Sequence, residues 1–218
     1  MPCYEETPIR ISVSTVAAIT VVLLDFYVGA RYCVKLIRKE IAPRIATWLI
    51  FELGVVMSLA SYLAGSERSL MKAALNVADS FQVTVILCAL LIVQRGRKIK
   101  FTRNELVSLG ISCVAGVAWM LTKTGWIGFV GFQLVMSIAY LPTIESLWRW
   151  RPGPAPEPME KWGINVVIAL IGVVVDITDR HDYLAMVYPL RALILCVVVV
   201  VLLVRWEQKR KVEASTAP

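Results

Sequence analysis

Leu184-Ala-Met-Val-Tyr188-Pro189-Leu-Arg191-Ala-Leu-Ile-Leu-Cys196-Val-Val-Val-Val-Val-Leu-Leu-Val204 carries a single charge, on Arg191, across a run long enough to cross a bilayer. About 20 mostly apolar residues in a helix span the hydrocarbon layer, and lipid offers no partner to a free backbone group, so this stretch is read as a transmembrane helix. Working toward the N-terminus, the same reading applies to residues 11–34, 42–64, 70–93, 106–122, 125–148 and 162–178. None shows the alternation of a strand. The fourth is among the shortest, and its link to the fifth, Lys123-Thr124-Gly125, is tight enough to make those two helices neighbours.

Composition agrees. Of 218 residues, 58% are hydrophobic and 18% charged, and the mean hydropathy is +0.69, which excludes an ordinary soluble domain. Seven spans and their links use nearly the whole chain. The fold expected is an all-α membrane protein with seven transmembrane helices. The first run follows the acidic Glu5-Glu6 and exceeds a signal-peptide core in length, so it is expected to be retained.

The net charge of +7 is not the signature of a nucleic-acid binder, because Lys and Arg fall in short clusters between the apolar runs. These clusters run from Arg31 to Arg44, Arg95 to Arg103, Arg149 to Lys161 and Arg205 to Lys211, all on one side. The opposite side has only Arg10, Arg68, Lys72, Lys123 and Arg180. The positive-inside rule then places the N-terminus outside and the C-terminus in the cytoplasm of a plasma or bacterial inner membrane. Trp48, Trp126, Trp148, Trp150, Trp162 and Trp206 lie near span ends, where aromatic belts form.

Spans one to three can be laid over spans five to seven. Ala30-Arg31-Tyr32 falls on Ile138-Ala139-Tyr140, and each helix then enters a basic loop containing proline: Pro43 in one, Pro152 to Pro158 in the other. Trp48 and Trp162 open the next helices, which run through Glu52-Leu53-Gly54 and Ala169-Leu170-Ile171-Gly172. The pattern predicts a 3+1+3 plan: a first unit over 1–104, a linker helix over 105–124 and a second unit over 125–218. One helix between two odd-numbered units makes the repeats parallel, about an axis along the membrane normal.

The stretch from Gln133 through Ser137, Tyr140, Pro142 and Trp148 to Arg149 resembles the first helix of a PQ-loop or SWEET-like unit, in which a proline near the cytoplasmic end precedes a polar residue and a basic turn. Tyr32 to Trp48 is similar in its basic turn and following Trp. The dipeptide here is Pro142-Thr143 rather than Pro-Gln, and the first unit has Val34 or a neighbour where its proline would stand. The resemblance implies a transporter or carrier of a small solute, sugar or vitamin-like, working by alternating access. Sugar-transporting members carry an Asn on the third helix of each unit. Asn76 matches in the first, whereas the second has Tyr188-Pro189-Leu190-Arg191. KDEL-receptor-like proteins share the plan, so a non-transporting receptor or an accessory subunit of a membrane complex stays open beside the transporter.

Polar groups inside a span are costly unless they face a cavity or a partner. The candidate substrate-binding residues are therefore Asn76, Asp79 and Gln82 of span three, Glu52 of span two, Tyr140 of span five, Asn165 of span six, and Tyr188 and Arg191 of span seven. An acid among them could bind a cation or exchange protons. Alternatively, Asp79 or Glu52 pairs with Arg191 as a structural ion pair. Asp25 ranks below them, read as paired to a cation or marking a bundle-facing stripe. Pro142 and Pro189 interrupt spans five and seven and are candidate hinges.

Segment seven has no mid-bilayer Lys for a retinal Schiff base. The chain has one histidine, His181, in the Asp179-Arg180-His181-Asp182 loop, too few for a bis-His haem. Neither the loop nor the cysteines have metal-ligand spacing, and no nucleophile motif or phosphate loop is present. No enzyme, metal or cofactor is expected, nor a disulfide framework. The expected partners are the bilayer and a small-molecule substrate, with a homo-oligomer or membrane-complex partner left open.

Overall fold

The computed structural model describes residues 12–64, 73–95, 101–149, 157–181 and 183–216. Cys3, Glu5-Glu6, Arg10, Arg68, Lys72, Arg97, Lys98, Lys100, Trp150, Arg151, the prolines at 152, 154 and 156, and Asp182 lie outside the described residues. Among the described residues the structure is helical, with seven helices long and apolar enough to cross a membrane. This is the architecture of a multi-pass membrane protein.

Helix boundaries follow local chemistry. α1 (Val13–Ile37) starts at Ser12, whose hydroxyl accepts the Thr15 N–H at 3.2 Å. It closes at Lys39, in the left-handed region at φ 59°. Pro43 keeps the chain extended before α2 (Ile45–Leu63), and α3 (Ala74–Val93) follows. α4 (Arg103–Thr122) begins three residues before the expected 106 because Thr102 and Glu105 form a reciprocal capping box. Lys123, at φ 50°, turns the chain into α5 (Gly125–Ala139).

Span five is two helices. α5 stops at Ala139 and α6 (Leu141–Trp148) resumes with Pro142 in its first turn, where the missing N–H is tolerated. Span six is α7 (Met159–Val175) and a π-helical turn, Asp176–Arg180, ending at His181 with φ 50°. α8 (Tyr183–Thr216) carries Pro189 without breaking and continues twelve residues past the expected end at Val204, since Arg205 to Thr216 contains no Gly or Pro to stop it.

α3 lies against both α1 and α2, and α8 against α5, α6 and α7. α1 packs on α7, α2 on α5, and α4 on α2 and α5. Apolar interior offers little advantage over lipid, so close approach of small residues and hydrogen bonds between helices hold such a bundle. At Gly54 of α2 an added Cβ would meet Met136 Cγ of α5 at 2.5 Å. Glu105 of α4 is fully buried and neutralised by Arg44 at 2.9 Å. Leu23, Val114, Leu121 and Val201 point outward, as lipid-facing side chains should.

Candidate functional site

The basic ends of α1, α2, α5 and α7 each bring an aromatic residue inward. Tyr32 packs on Trp48 with ring centroids 5.0 Å apart at 61°, and Tyr140 on Trp162 at 5.5 Å and 59°. Phe51 joins the pairs, 6.1 Å from Trp48 and 4.9 Å from Tyr140. All but Tyr32 line a central cavity of about 30 Å3, room for water but not for a sugar.

Carboxylates enter this cavity from α1 and α3. Asp25 is 3% exposed. Its Oδ1 accepts from Gln82 Nε2 at 2.7 Å, while its Oδ2 is buried without a hydrogen-bond partner among the described residues. Asp79 accepts from the Tyr188 hydroxyl at 2.5 Å. From α7 comes Lys161, 5% exposed, its Nζ 4.4 Å from the Trp162 ring centroid and 5.3 Å from that of Trp48. The Asn165 amide, oriented by its partners, accepts from this ammonium at 3.1 Å and donates to the Lys161 carbonyl at 3.2 Å. The cavity-lining residues come from α1, α2, α3, α7, α8 and, through Met136 and Tyr140, α5 and its end, and none from α4.

Farther from the basic end, a polar network ties four helices. Arg191 Nε donates to Gln133 Oε1 at 2.9 Å, Gln133 Nε2 to Ser58 Oγ at 2.6 Å, and Asn76 Nδ2 to the same oxygen at 3.2 Å. A second cavity, also about 30 Å3, lies beside Asn76, Asp176 and Pro189, and shares Leu75 and Tyr188 with the first.

The basic end is closed by two glutamates. Glu160 meets Arg31 at 3.1 Å, Lys35 at 3.0 Å and the Tyr27 hydroxyl at 2.9 Å. Glu157 is buried and accepts from Tyr32 at 3.1 Å. Burial pushes its carboxyl up to about 7, although Lys161 and the Tyr32 hydrogen bond pull the other way.

Of the residues singled out in the sequence, Asp79, Tyr140, Asn165 and Tyr188 line the central cavity, Gln82 braces Asp25 beside it, and Asn76 lines the second cavity. Glu52 lines neither. Its Oε1 accepts from Thr84 at 2.8 Å, away from the α2 stripe of Phe51, Gly54, Val55 and Ser58. Arg191 sits behind Tyr188, 4.9 Å from its ring centroid, and among the described residues no ion pair joins it to Asp79 or Glu52. Of the hinge candidates, Pro142 coincides with a break and Pro189 does not.

Lys161, counted in the sequence among the cations of the basic side, belongs to the first turn of α7 and is buried at the cavity. Gln133, Ser58 and Glu157 are site residues outside the sequence candidates, and Asp25 is one that the sequence ranked below them. The signal available for two of them was register, since Asp25 and Gln133 each stand seven residues before the aligned tyrosines, Tyr32 and Tyr140. No protein-family profile, no curated protein and no solved structure matches this chain.

Proposed function

We propose that the chain is a small-solute membrane transporter working by alternating access between two parallel three-helix units, α1–α3 and α5–α8, with α4 as linker, the N-terminus outside and the basic end in the cytoplasm. The observation that carries this reading is the pair of Tyr–Trp contacts. Tyr32–Trp48 and Tyr140–Trp162 stand at aligned positions of the two units and have nearly the same separation and tilt.

Further equivalences support it. In each unit the first helix offers an acceptor seven residues before its tyrosine, and the third helix donates to it: Gln82 to Asp25, and Arg191 to Gln133. Three residues before those donors stand Asp79 and Tyr188, bonded to each other between the units. The helix neighbours agree, because exchanging the units turns the α2–α5 contact into the α7–α1 contact. In this reading a twofold axis along the membrane normal relates these pairs.

In this reading the four aromatic rings and the two glutamates form the cytoplasmic gate, here closed, and the cavity is the solute site in a contracted state. The break before Pro142 supplies a joint between α5 and the gate. The test is uptake of labelled solutes into proteoliposomes, comparing the wild type with Asp79→Asn and Arg191→Ala. Flux that both substitutions reduce at least tenfold is expected. No flux of any solute, together with stoichiometric co-purification of other proteins, would overturn the transporter in favour of a receptor or accessory subunit.

A further inference from the structure

The central cavity already holds a cation. Lys161 belongs to the protein, yet its ammonium lies over two indole faces as a bound amine would, and among the described residues no carboxylate comes within ion-pairing distance of it. A desolvated cation over Trp is stabilised by the ring quadrupole, by about 2 kcal/mol or more in favourable cases. Asp25 Oδ2 is buried in the same cavity, with no hydrogen-bond partner among the described residues. Burying a carboxylate oxygen that way is costly unless a donor arrives.

Charges in and around the cavity divide by helix. α1 and α3 contribute Asp25 and Asp79, α7 contributes Lys161, and α2 and α5 contribute aromatic and apolar groups. Arg191 of α8 bonds Gln133 and is screened from the cavity by the Tyr188 ring. The cavity itself therefore lines up two acids against one ammonium.

We infer that the solute is a primary ammonium compound, and that Lys161 is a tethered occupant of its site, holding the ammonium position until the solute displaces it. This inference rests on the transporter reading and names the substrate class of that same cavity. Asp25 and Asp79 take the incoming ammonium, and Trp48 and Trp162 cover its apolar side. Release of Lys161 frees it to move toward Glu157 at the gate, whose carboxyl already feels the lysine charge. The solute's amine and the gate are thereby linked through one side chain.

Binding, rather than flux, provides the test. Purified protein in detergent is titrated calorimetrically with n-propylammonium chloride against sodium chloride at equal ionic strength. Weak binding to the wild type is expected, at least tenfold tighter binding to Lys161→Ala, and loss of at least tenfold when Asp25→Asn is added to that variant. If Lys161→Ala is not monodisperse, Lys161→Met preserves the stem and the same gain is expected. Unchanged or weaker propylammonium binding after removal of the lysine ammonium would overturn the inference, as would binding of glycine but not of propylammonium, which would make Lys161 a holder of a carboxylate. Tight ammonium binding without flux would sink the transporter reading and leave the site standing. Flux of neutral solutes without ammonium binding would do the reverse.

Discussion

Two helix seams, α2–α5 and α1–α7, are built from different materials. Where α2 meets α5, Gly54 admits Met136, Tyr62 packs on Phe129 at 5.7 Å and Gln133 reaches Ser58 at 2.6 Å. Where α1 meets α7, the ties at the basic end are ionic and half exposed: Arg31 and Lys35 on Glu160. A dry seam of interlocked small and large residues has one arrangement, because a void or a clash costs on the order of 1–3 kcal/mol. A solvated ion cluster can be exchanged for water at under about 1 kcal/mol per pair. Under the proposed alternating access, this difference makes α2–α5 the axle and α1–α7 the opening.

Removing the polar tie inside the dry seam should have the largest effect. Gln133→Leu removes the hydrogen-bond acceptor of the buried Arg191 guanidinium, and thermal unfolding in detergent should register a loss of about 3 kcal/mol. A loss no greater than that of an average surface substitution would show the seam does not depend on this network.

Acidity separates the seams next. The Glu157 carboxyl ionises at about 7 in the folded protein and near 4.5 when solvated, so protonation favours the folded form. Its contribution is complete below about pH 4.5 and declines as pH rises, by about 3 kcal/mol at most, until it is gone above about 7. Stability measured from pH 4.5 to 8 should fall over that window for the wild type and stay flatter for Glu157→Gln.

Gly54→Val should cost about 2 kcal/mol, because Met136 and the helix backbones must part to admit the branched side chain. Smallest is Glu160→Gln, expected at under about 1 kcal/mol in the same melting assay. Should Glu160→Gln cost more than Gly54→Val, the roles of axle and opening would be reversed.

Helix number was legible because bilayer thickness fixes the length of an apolar run, and Tyr140 and Tyr188 were legible because a polar group inside a span needs a cavity or a partner. Glu52 misled because depth along a span says nothing about rotation around it. On α2 the inward stripe is Phe51, Gly54, Val55 and Ser58, and Glu52 is one residue off it. Asp25 was undervalued because its partner, Gln82, is 57 positions away, a pairing that spacing within one helix cannot reveal. Lys161 was lost in the count of basic residues, which treats every cation between two apolar runs as solvated. Pro158 starts the helix early enough to carry this one inside.

The overhang of α8 has a mechanical meaning. From Pro189 to Thr216 the helix is unbroken, a rod of about 40 Å at 1.5 Å per residue. Bending at Pro189 by roughly 10° would sweep its tip through about 7 Å, whereas side chains beside the proline would shift by less than about 1 Å. The tail is a pointer for events at the level of Tyr188, and a spin label near its end would magnify movements too small to see where they begin.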